Sequence, residues 1–169
     1  RRGALPMATI GACAGFSAIS GSSLATAATF TQIAVPEMRR YGYDERLATG
    51  AVAAGGTLGI LIPPSVIMVI YALAAEESVP MLFAAGMIPG LILAALFVLV
   101  IWVMVRLFPE RAPAGERMAW GDRIRAILAM WKLVLLFGIA VGGIYAGWFS
   151  PTEAAGIASF VAIVIAMAS

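Results

Sequence analysis

Residues 47–75 read LATGAVAAGGTLGILIPPSVIMVIYALAA, an uncharged run long enough to cross a bilayer. Its middle nevertheless holds Gly55, Gly56 and Gly59, followed by Pro63-Pro64-Ser65. Because proline lacks an N–H and glycine permits irregular backbone angles, the span should break at its centre. Irregular backbone is tolerated at membrane depth only where it is buried in protein or lines a polar cavity. Helix ends freed in this way can hold an ion or an anion, so the stretch predicts a transport function.

The composition indicates a membrane protein. The 169 residues are 62% hydrophobic and 12% charged, whereas a soluble domain is about half apolar and a quarter charged. The chain opens on Arg1-Arg2 and stops inside an apolar run, so we expect it to be a fragment of a longer protein. With no histidine, one cysteine and one lysine, it offers no evident base for a serine nucleophile and no thiolate metal site. We therefore expect no enzymatic activity.

The basic residues define the predicted topology. They fall at 1–2, 39–46 and 106–132, whereas the connector at 76–77 and the isolated Glu153 carry only acidic charge. By the positive-inside rule the three basic segments are cytoplasmic and the acidic connectors lie outside. This clustering between apolar spans also accounts for the net charge of +2 without invoking nucleic acid. The prediction is a multi-pass membrane protein whose basic loops are cytoplasmic.

Residues 3–38 are predicted to form a re-entrant helical hairpin. Residues 3–36 carry no charge, yet both flanks are basic, so the segment should return to the side it entered. Each arm would span about 26 Å as helix, at the lower limit for a full crossing. The central sequence SAISGSS at 17–23 favours a turn followed by a helix cap. Two full crossings joined by an outer turn are the alternative.

The rest of the chain completes an all-α integral membrane fold. The predicted elements are a discontinuous transmembrane helix at 47–75, a transmembrane helix at 82–105, a cytoplasmic basic loop and interfacial amphipathic helix at 106–131, a transmembrane helix at 132–148, and a truncated one at 151–169. Glu153, beside Pro151, is either a coupling carboxylate or a helix N-terminal cap.

Two polar groups could carry chemistry. The hairpin tip Ser20-Gly21-Ser22-Ser23 and the break, with Gly56, Thr57 and Pro63-Pro64-Ser65, offer hydroxyl and carbonyl oxygens. Such hard, neutral ligands suit a small alkali cation, and a helix N-terminus suits an anion. Alternatively, these small residues only let membrane helices pack closely, and the prolines only kink a helix.

Several stretches resemble the large membrane subunit of the tripartite ATP-independent periplasmic (TRAP) transporters. They are GFSAISGSSLATAATF at 15–30, IAVPEMRRYGYDERLATG at 33–50, AAGGTLGILIPPSVIMVIYALAAEESV at 53–79 and GGIYAGWFSPTEAAG at 142–156. The resemblance covers most of the chain except the basic loop near 106–129. It implies half of an inverted-repeat, elevator-type secondary transporter in which hairpin tips and helix breaks form the site.

The resemblance also implies a location in the bacterial inner membrane, a ligand and partners. Na⁺ would be the coupling ion, with no other cofactor, and the substrate would be an organic anion such as a C4-dicarboxylate or sialic acid. A periplasmic solute-binding protein would deliver it, and a small membrane subunit would brace the permease within the lipid. Binding residues carried over are Ser20, Gly21, Ser22, Ser23, Gly56, Thr57, Pro63, Pro64 and Ser65, with Ser22, Ser23 and Thr57 as sodium ligands. The alternatives are a related symporter without a binding protein and a non-transporting scaffold subunit.

Overall fold

The described part of the chain is helical throughout. The computed structural model describes residues 3–113, 121 and 131–167, and every regular element within those ranges is an α-helix or a short 3₁₀ helix. The predicted all-α class is therefore confirmed. The chain divides into two compact units, Arg1–Glu116 and Arg117–Ser169.

The first unit begins with a helical hairpin. Helices α1 (Ala4–Ser20) and α2 (Ser23–Arg40) are joined by Gly21 and Ser22 alone. Gly21 has φ 60°, and its N–H donates to the Ser17 carbonyl at 3.0 Å, which ends α1. The Ser22 side chain accepts from the Ala25 N–H at 3.3 Å, which starts α2. Glycine at a left-handed position followed by a serine cap thus reverses the chain within two residues.

The uncharged stretch at 47–75 forms a discontinuous helix. Helix α3 (Glu45–Thr57) runs into a 3₁₀ turn (Leu58–Ile60), and α4 (Val66–Ala75) begins after a cis Pro63–Pro64 bond. The first helix starts at Asp44, whose carboxylate accepts two backbone N–H groups. The second starts at Ser65, whose Oγ accepts from the Met68 N–H at 3.4 Å. Helix α4 thus has its own N-terminal cap and starts independently of α3.

A hydrogen-bonded turn closes the base of the hairpin. Arg39 near the end of α2 forms an ion pair with Glu45 at the start of α3. The Asp44 N–H donates to the Arg111 carbonyl at 3.0 Å. Arg111 ends a 3₁₀ turn (Pro109–Arg111) that follows α5 (Val79–Leu107), so the end of α5 lies beside the start of α3. Helix α5 has 29 residues and, within the described ranges, is the one helix long and apolar enough to cross a membrane by itself.

The glycines of α3 allow the hairpin to pack closely. A Cβ added at Gly55 would lie 2.8 Å from the Cys13 Sγ on α1, and one at Gly56 would lie 2.9 Å from the Ala27 Cβ on α2. Both distances are too short for real carbon contacts, so neither position accepts a side chain without movement. The two consecutive glycines therefore let both arms of the hairpin pack closely against α3.

The second unit contains two described helices, α6 (Trp131–Tyr145) and α7 (Pro151–Met167). The connection includes Gly147 with φ 73°. Both helices are apolar but shorter than α5. The predicted interfacial amphipathic helix falls mainly on 114–120 and 122–130, outside the described residues.

Candidate functional site

The hairpin tip lies directly against the break in the discontinuous helix. The Val66 N–H at the start of α4 donates to the Gly21 carbonyl at 3.1 Å. A Cβ at Gly21 would lie 2.5 Å from the Pro64 carbonyl oxygen, and one at Gly59 would lie 2.7 Å from the Ser22 carbonyl carbon. Two irregular backbone segments, one from each motif, therefore meet at van der Waals distance. We call this contact the tip–break junction, and define it by Ser20–Ser23 and residues 56–66.

A chain of hydroxyls stiffens the tip. Ser20 Oγ and Thr26 Oγ1 lie 3.0 Å apart, and the Thr26 hydroxyl also donates to the Ser22 carbonyl at 2.9 Å. Thr26 is 0% exposed, whereas Ser20 and Ser22 are half-buried. Buried polar groups with satisfied hydrogen bonds fix local geometry. The half-buried serine oxygens are thus held in place without being fully enclosed.

Two helices start at the junction, and a serine caps each of them. Helix α2 follows Ser22, and α4 follows Ser65, which is 1% exposed. The first N–H groups of a helix carry partial positive charge because the peptide dipoles align. No charged residue occurs at 3–36 or 47–75 to oppose that field. The junction therefore combines positive helix starts with neutral carbonyl and hydroxyl oxygens, a combination that can attract an anion and a small cation together.

The predicted site residues differ in how close they lie to the junction. Gly21, Ser22 and Pro64 meet across the junction through the contacts above. Ser20 is bonded within the tip, to Thr26, and Ser65 caps α4 on the break side. The Ser23 backbone nitrogen lies 2.8 Å from a Cβ placed at Gly59, and Pro63 is fully buried. Gly56 contacts α2 one turn away from the tip, through Ala27.

Thr57 has a different environment. It is exposed, and its hydroxyl donates to the Ala54 carbonyl at 2.7 Å, one turn back in its own helix. Its neighbours Gly56 and Gly59, rather than Thr57 itself, make the close approaches to the hairpin. The threonine oxygen keeps a free lone pair, because a hydroxyl both donates and accepts.

Three residues near the hairpin tip or the break were not among the predicted binding residues. Gly59 makes a close backbone contact with Ser22 of the tip, and Thr26 anchors the hydroxyl chain. Ser17 is 0% exposed, and its Oγ has no hydrogen-bond partner in the described structure. The spacing of three glycines before the prolines could have indicated Gly59, and Thr26 lies one helical turn after Ser22. The sequence carries no signal for Ser17, since its burial depends on how α1 is rotated.

Glu153 lies in the second unit, at the start of α7. Its carboxylate accepts from the Ser150 N–H and the Ser150 hydroxyl, both at 2.8 Å, and its own N–H donates to the Ser150 Oγ at 3.3 Å. This reciprocal pattern is a capping box. Of the two interpretations open from the sequence, the geometry is that of the helix cap.

A broken helix whose uncharged centre meets a hairpin tip is typical of secondary transporters, which bind solutes at discontinuous helices. The chain belongs to the family described as "Tripartite ATP-independent periplasmic transporter, DctM component", which it matches over residues 1–169.

Three relatives illustrate the range of the family. The chain is 44% identical to the C4-dicarboxylate TRAP transporter large permease protein of Pseudomonas aeruginosa, over 98% of this chain and 38% of the relative. It is 36% identical to the ectoine TRAP transporter large permease protein of Halomonas elongata, over 97% and 38%. It is 37% identical to the sialic acid TRAP transporter permease protein of Haemophilus influenzae, over 96% and 26%. The chain therefore spans well under half the length of these relatives, all of which are named as permeases.

Proposed function

We propose that this chain forms part of the membrane permease of a sodium-coupled transporter, and that the tip–break junction is one half of its ion and substrate site. The substrate would be an organic anion delivered by a periplasmic binding protein, and a small membrane subunit would complete the complex in the inner membrane. The observation that carries the proposal is the hydrogen bond from the Val66 N–H to the Gly21 carbonyl, which joins the two motifs at 3.1 Å.

The same contact supports a re-entrant hairpin over two full crossings. The discontinuous helix has its basic flank before α3 and its acidic flank after α4. Helix α3 has 13 residues and α4 has 10, about 20 Å and 15 Å, so the break falls near the middle of a crossing. A hairpin tip bonded to that break would lie at the same depth. The hairpin would then enter and leave from the cytoplasmic side, as its two basic flanks require.

The chemistry of the junction favours sodium as the coupling ion. Carbonyl and hydroxyl oxygens bind alkali cations reversibly, and the neutral surroundings avoid the tight binding of a carboxylate cage. An anion held at the two helix starts would stabilise a nearby cation, and the cation would stabilise the anion. That mutual effect would couple the two ligands, since the linkage between binding sites is reciprocal.

The names of the relatives support a carrier role without fixing the substrate. Relatives at 44%, 37% and 36% identity are named for C4-dicarboxylate, sialic acid and ectoine respectively. A symporter that works without a binding protein is the nearest alternative. A scaffold subunit is a weaker alternative, because a scaffold would need no polar hairpin tip bonded to a helix break.

The test is a sodium titration of uptake in the intact transporter reconstituted into liposomes. Ser22→Ala and Thr57→Ala each remove one candidate oxygen ligand, at a cost of about 1–3 kcal/mol in ion binding. We expect each substitution to raise the sodium concentration for half-maximal uptake by about 5- to 150-fold. The apparent affinity for substrate should fall along with the affinity for sodium.

Thr49→Ala is the matched control. Thr49 is exposed on α3, and its hydroxyl donates to the Glu45 carbonyl at 2.8 Å, as Thr57 does to Ala54, but two turns before the break. The sodium titration of uptake by Thr49→Ala should match that of the unmodified transporter. If Ser22→Ala and Thr57→Ala also leave the sodium titration unchanged, the assignment of the ion site is wrong.

A further inference from the structure

A narrow groove lies between α3 and α5, away from the tip–break junction. It encloses about 210 Å³ and is lined by Arg46, Leu47, Gly50, Ala51, Ala54, Phe97, Val100, Ile101 and Met104. One of these nine residues is charged, and the others are apolar. The groove is therefore a hydrocarbon surface with a single guanidinium.

The arginine marks one end of the groove. The Asp44 N–H is bonded to the Arg111 carbonyl, so α3 begins where α5 ends and the two helices run antiparallel. Arg46 thus lies at the Met104 end, and Ala54 lies at the Phe97 end. Beside the first end, the Arg106 guanidinium lies 4.8 Å above the ring of Trp102. Aromatic and basic side chains together are typical of the headgroup level of a membrane.

The dimensions of the groove favour a single extended chain as its occupant. Ala54 lies eight positions after Arg46, so the groove runs about 12 Å along α3. A helix with its side chains, 10–12 Å across, would occupy about 1,100 Å³ over that length, several times the groove volume of about 210 Å³. A single extended chain therefore suits the groove better than a helix does.

The charge on Arg46 is available to a ligand. Within the described residues no carboxylate lies within 4.0 Å of its guanidinium, because Glu45 pairs with Arg39 and the Asp44 carboxylate accepts the N–H groups of residues 46 and 47. A guanidinium with no carboxylate partner among the described residues, at one end of an apolar groove, matches a phosphate attached to an acyl chain.

We propose that this groove binds one anionic phospholipid, with its phosphate at Arg46 and an acyl chain running toward Ala54 and Phe97. The inference rests on the membrane placement given above but not on sodium coupling. It assigns the α3 helix a lipid ligand on the side opposite to its contacts with the hairpin, through residues 46, 47, 50, 51 and 54.

Gly50 provides the position for the test, because a Cβ placed there meets nothing within 4 Å. The photoreactive residue p-benzoylphenylalanine replaces Gly50 in the full-length permease, which is held in nanodiscs of equal parts phosphatidylglycerol and phosphatidylethanolamine. After irradiation, mass spectrometry identifies the adduct. We expect lipid adducts in which phosphatidylglycerol is enriched about fivefold, the ratio for about 1 kcal/mol from one arginine near an anionic headgroup.

Arg46→Gln should return that ratio to the bulk value, whereas Arg40→Gln, an exposed arginine that does not line the groove, should not change it. The matched position is Gly11 on α1, which also has open space around a Cβ. Adducts there should follow the bulk lipid ratio with either arginine variant. A cross-link from position 50 to protein, no lipid adduct, or an enrichment that survives Arg46→Gln would overturn the proposal. If the expected lipid adducts form but uptake does not depend on sodium, the proposed coupling is wrong and the lipid site is still supported.

Discussion

At the scale of single residues, two buried hydroxyls near the hairpin tip differ in their hydrogen bonding. Thr26 and Ser17 are each 0% exposed. The Thr26 hydroxyl is bonded to Ser20 and to the Ser22 carbonyl, whereas the Ser17 hydroxyl has no partner among the described residues. Removing a satisfied buried hydroxyl leaves its partners unpaired, but removing an unsatisfied one relieves a desolvation cost.

These environments predict opposite effects of two conservative substitutions. Thr26→Val keeps the shape of the side chain and should lower the free energy of unfolding by about 1–3 kcal/mol, because two hydrogen bonds are lost. Ser17→Ala should be neutral or slightly stabilising. The measurement is thermal unfolding of the purified full-length permease in detergent, with the two variants compared side by side. Equal destabilisation by both would show that the Ser17 hydroxyl is bonded in the intact protein.

Ser17 also illustrates what the sequence alone could not provide. The buried residues of α1 are Pro6, Thr9, Ile10, Cys13, Ser17 and Ala18, which form a stripe at helical spacing. That stripe includes two polar residues, while large apolar residues such as Ile19, which is 43% exposed, lie off it. In an apolar helix, hydrophobic periodicity does not identify the packed face, because lipid and protein interiors are equally apolar. The rotation of α1, and with it the burial of Ser17, needed the tertiary structure.

At the scale of helices and turns, the start of α7 allows a test of whether Glu153 is a cap or a coupling group. A capping box tolerates glutamine in place of glutamate, because the amide oxygen can still accept the two Ser150 hydrogen bonds. Glu153→Gln should therefore keep both thermal stability and the sodium dependence of uptake in the intact transporter. Glu153→Ala should lower the melting temperature and leave the sodium dependence unchanged.

The charge-neutral variant separates the two interpretations. A coupling carboxylate would lose its function in Glu153→Gln as fully as in Glu153→Ala, since both remove the charge. If uptake by Glu153→Gln no longer responds to sodium, the capping geometry is not the whole role of this residue.

The breaks and turns could be predicted where the residues that cause them lie at the same place in the sequence. The discontinuity follows from Pro63-Pro64 and nearby glycines, and the structure has its irregular segment at residues 58–65. The hairpin turn, expected within 17–23, lies at Gly21 and Ser22. From the sequence alone, the turn and the break could be predicted only to lie at the same depth in the membrane. The pairing of Gly59 with Ser22 depends on helix rotation and register, which these local signals do not determine.

At the scale of the whole molecule, the charge distribution and the tip–break contact support the same proposed topology. The turn at 41–44 joins basic segments and would be cytoplasmic, whereas the connector at 76–78, between α4 and α5, would be outside. The hairpin tip is bonded to the middle of the discontinuous helix and would lie at neither surface. Two full crossings would instead bring the tip to the outer surface, where the same hydrogen bond to Val66 could not form.

Cysteine labelling in intact cells and inverted vesicles can test this topology. Single cysteines replace Tyr41, Glu77 and Leu24 in the full-length permease after its other cysteines are removed, and each is exposed to a polymer-linked maleimide too large to enter a substrate cavity. We expect Tyr41→Cys to react only in inverted vesicles and Glu77→Cys only in intact cells. The Leu24 side chain is 82% exposed, yet Leu24→Cys should react in neither preparation, because position 24 follows a tip that is proposed to lie at membrane depth. Reaction of all three in detergent shows that each thiol is competent. Labelling of Leu24→Cys from outside at the rate of Glu77→Cys would establish two full crossings and remove the basis for a site at the junction.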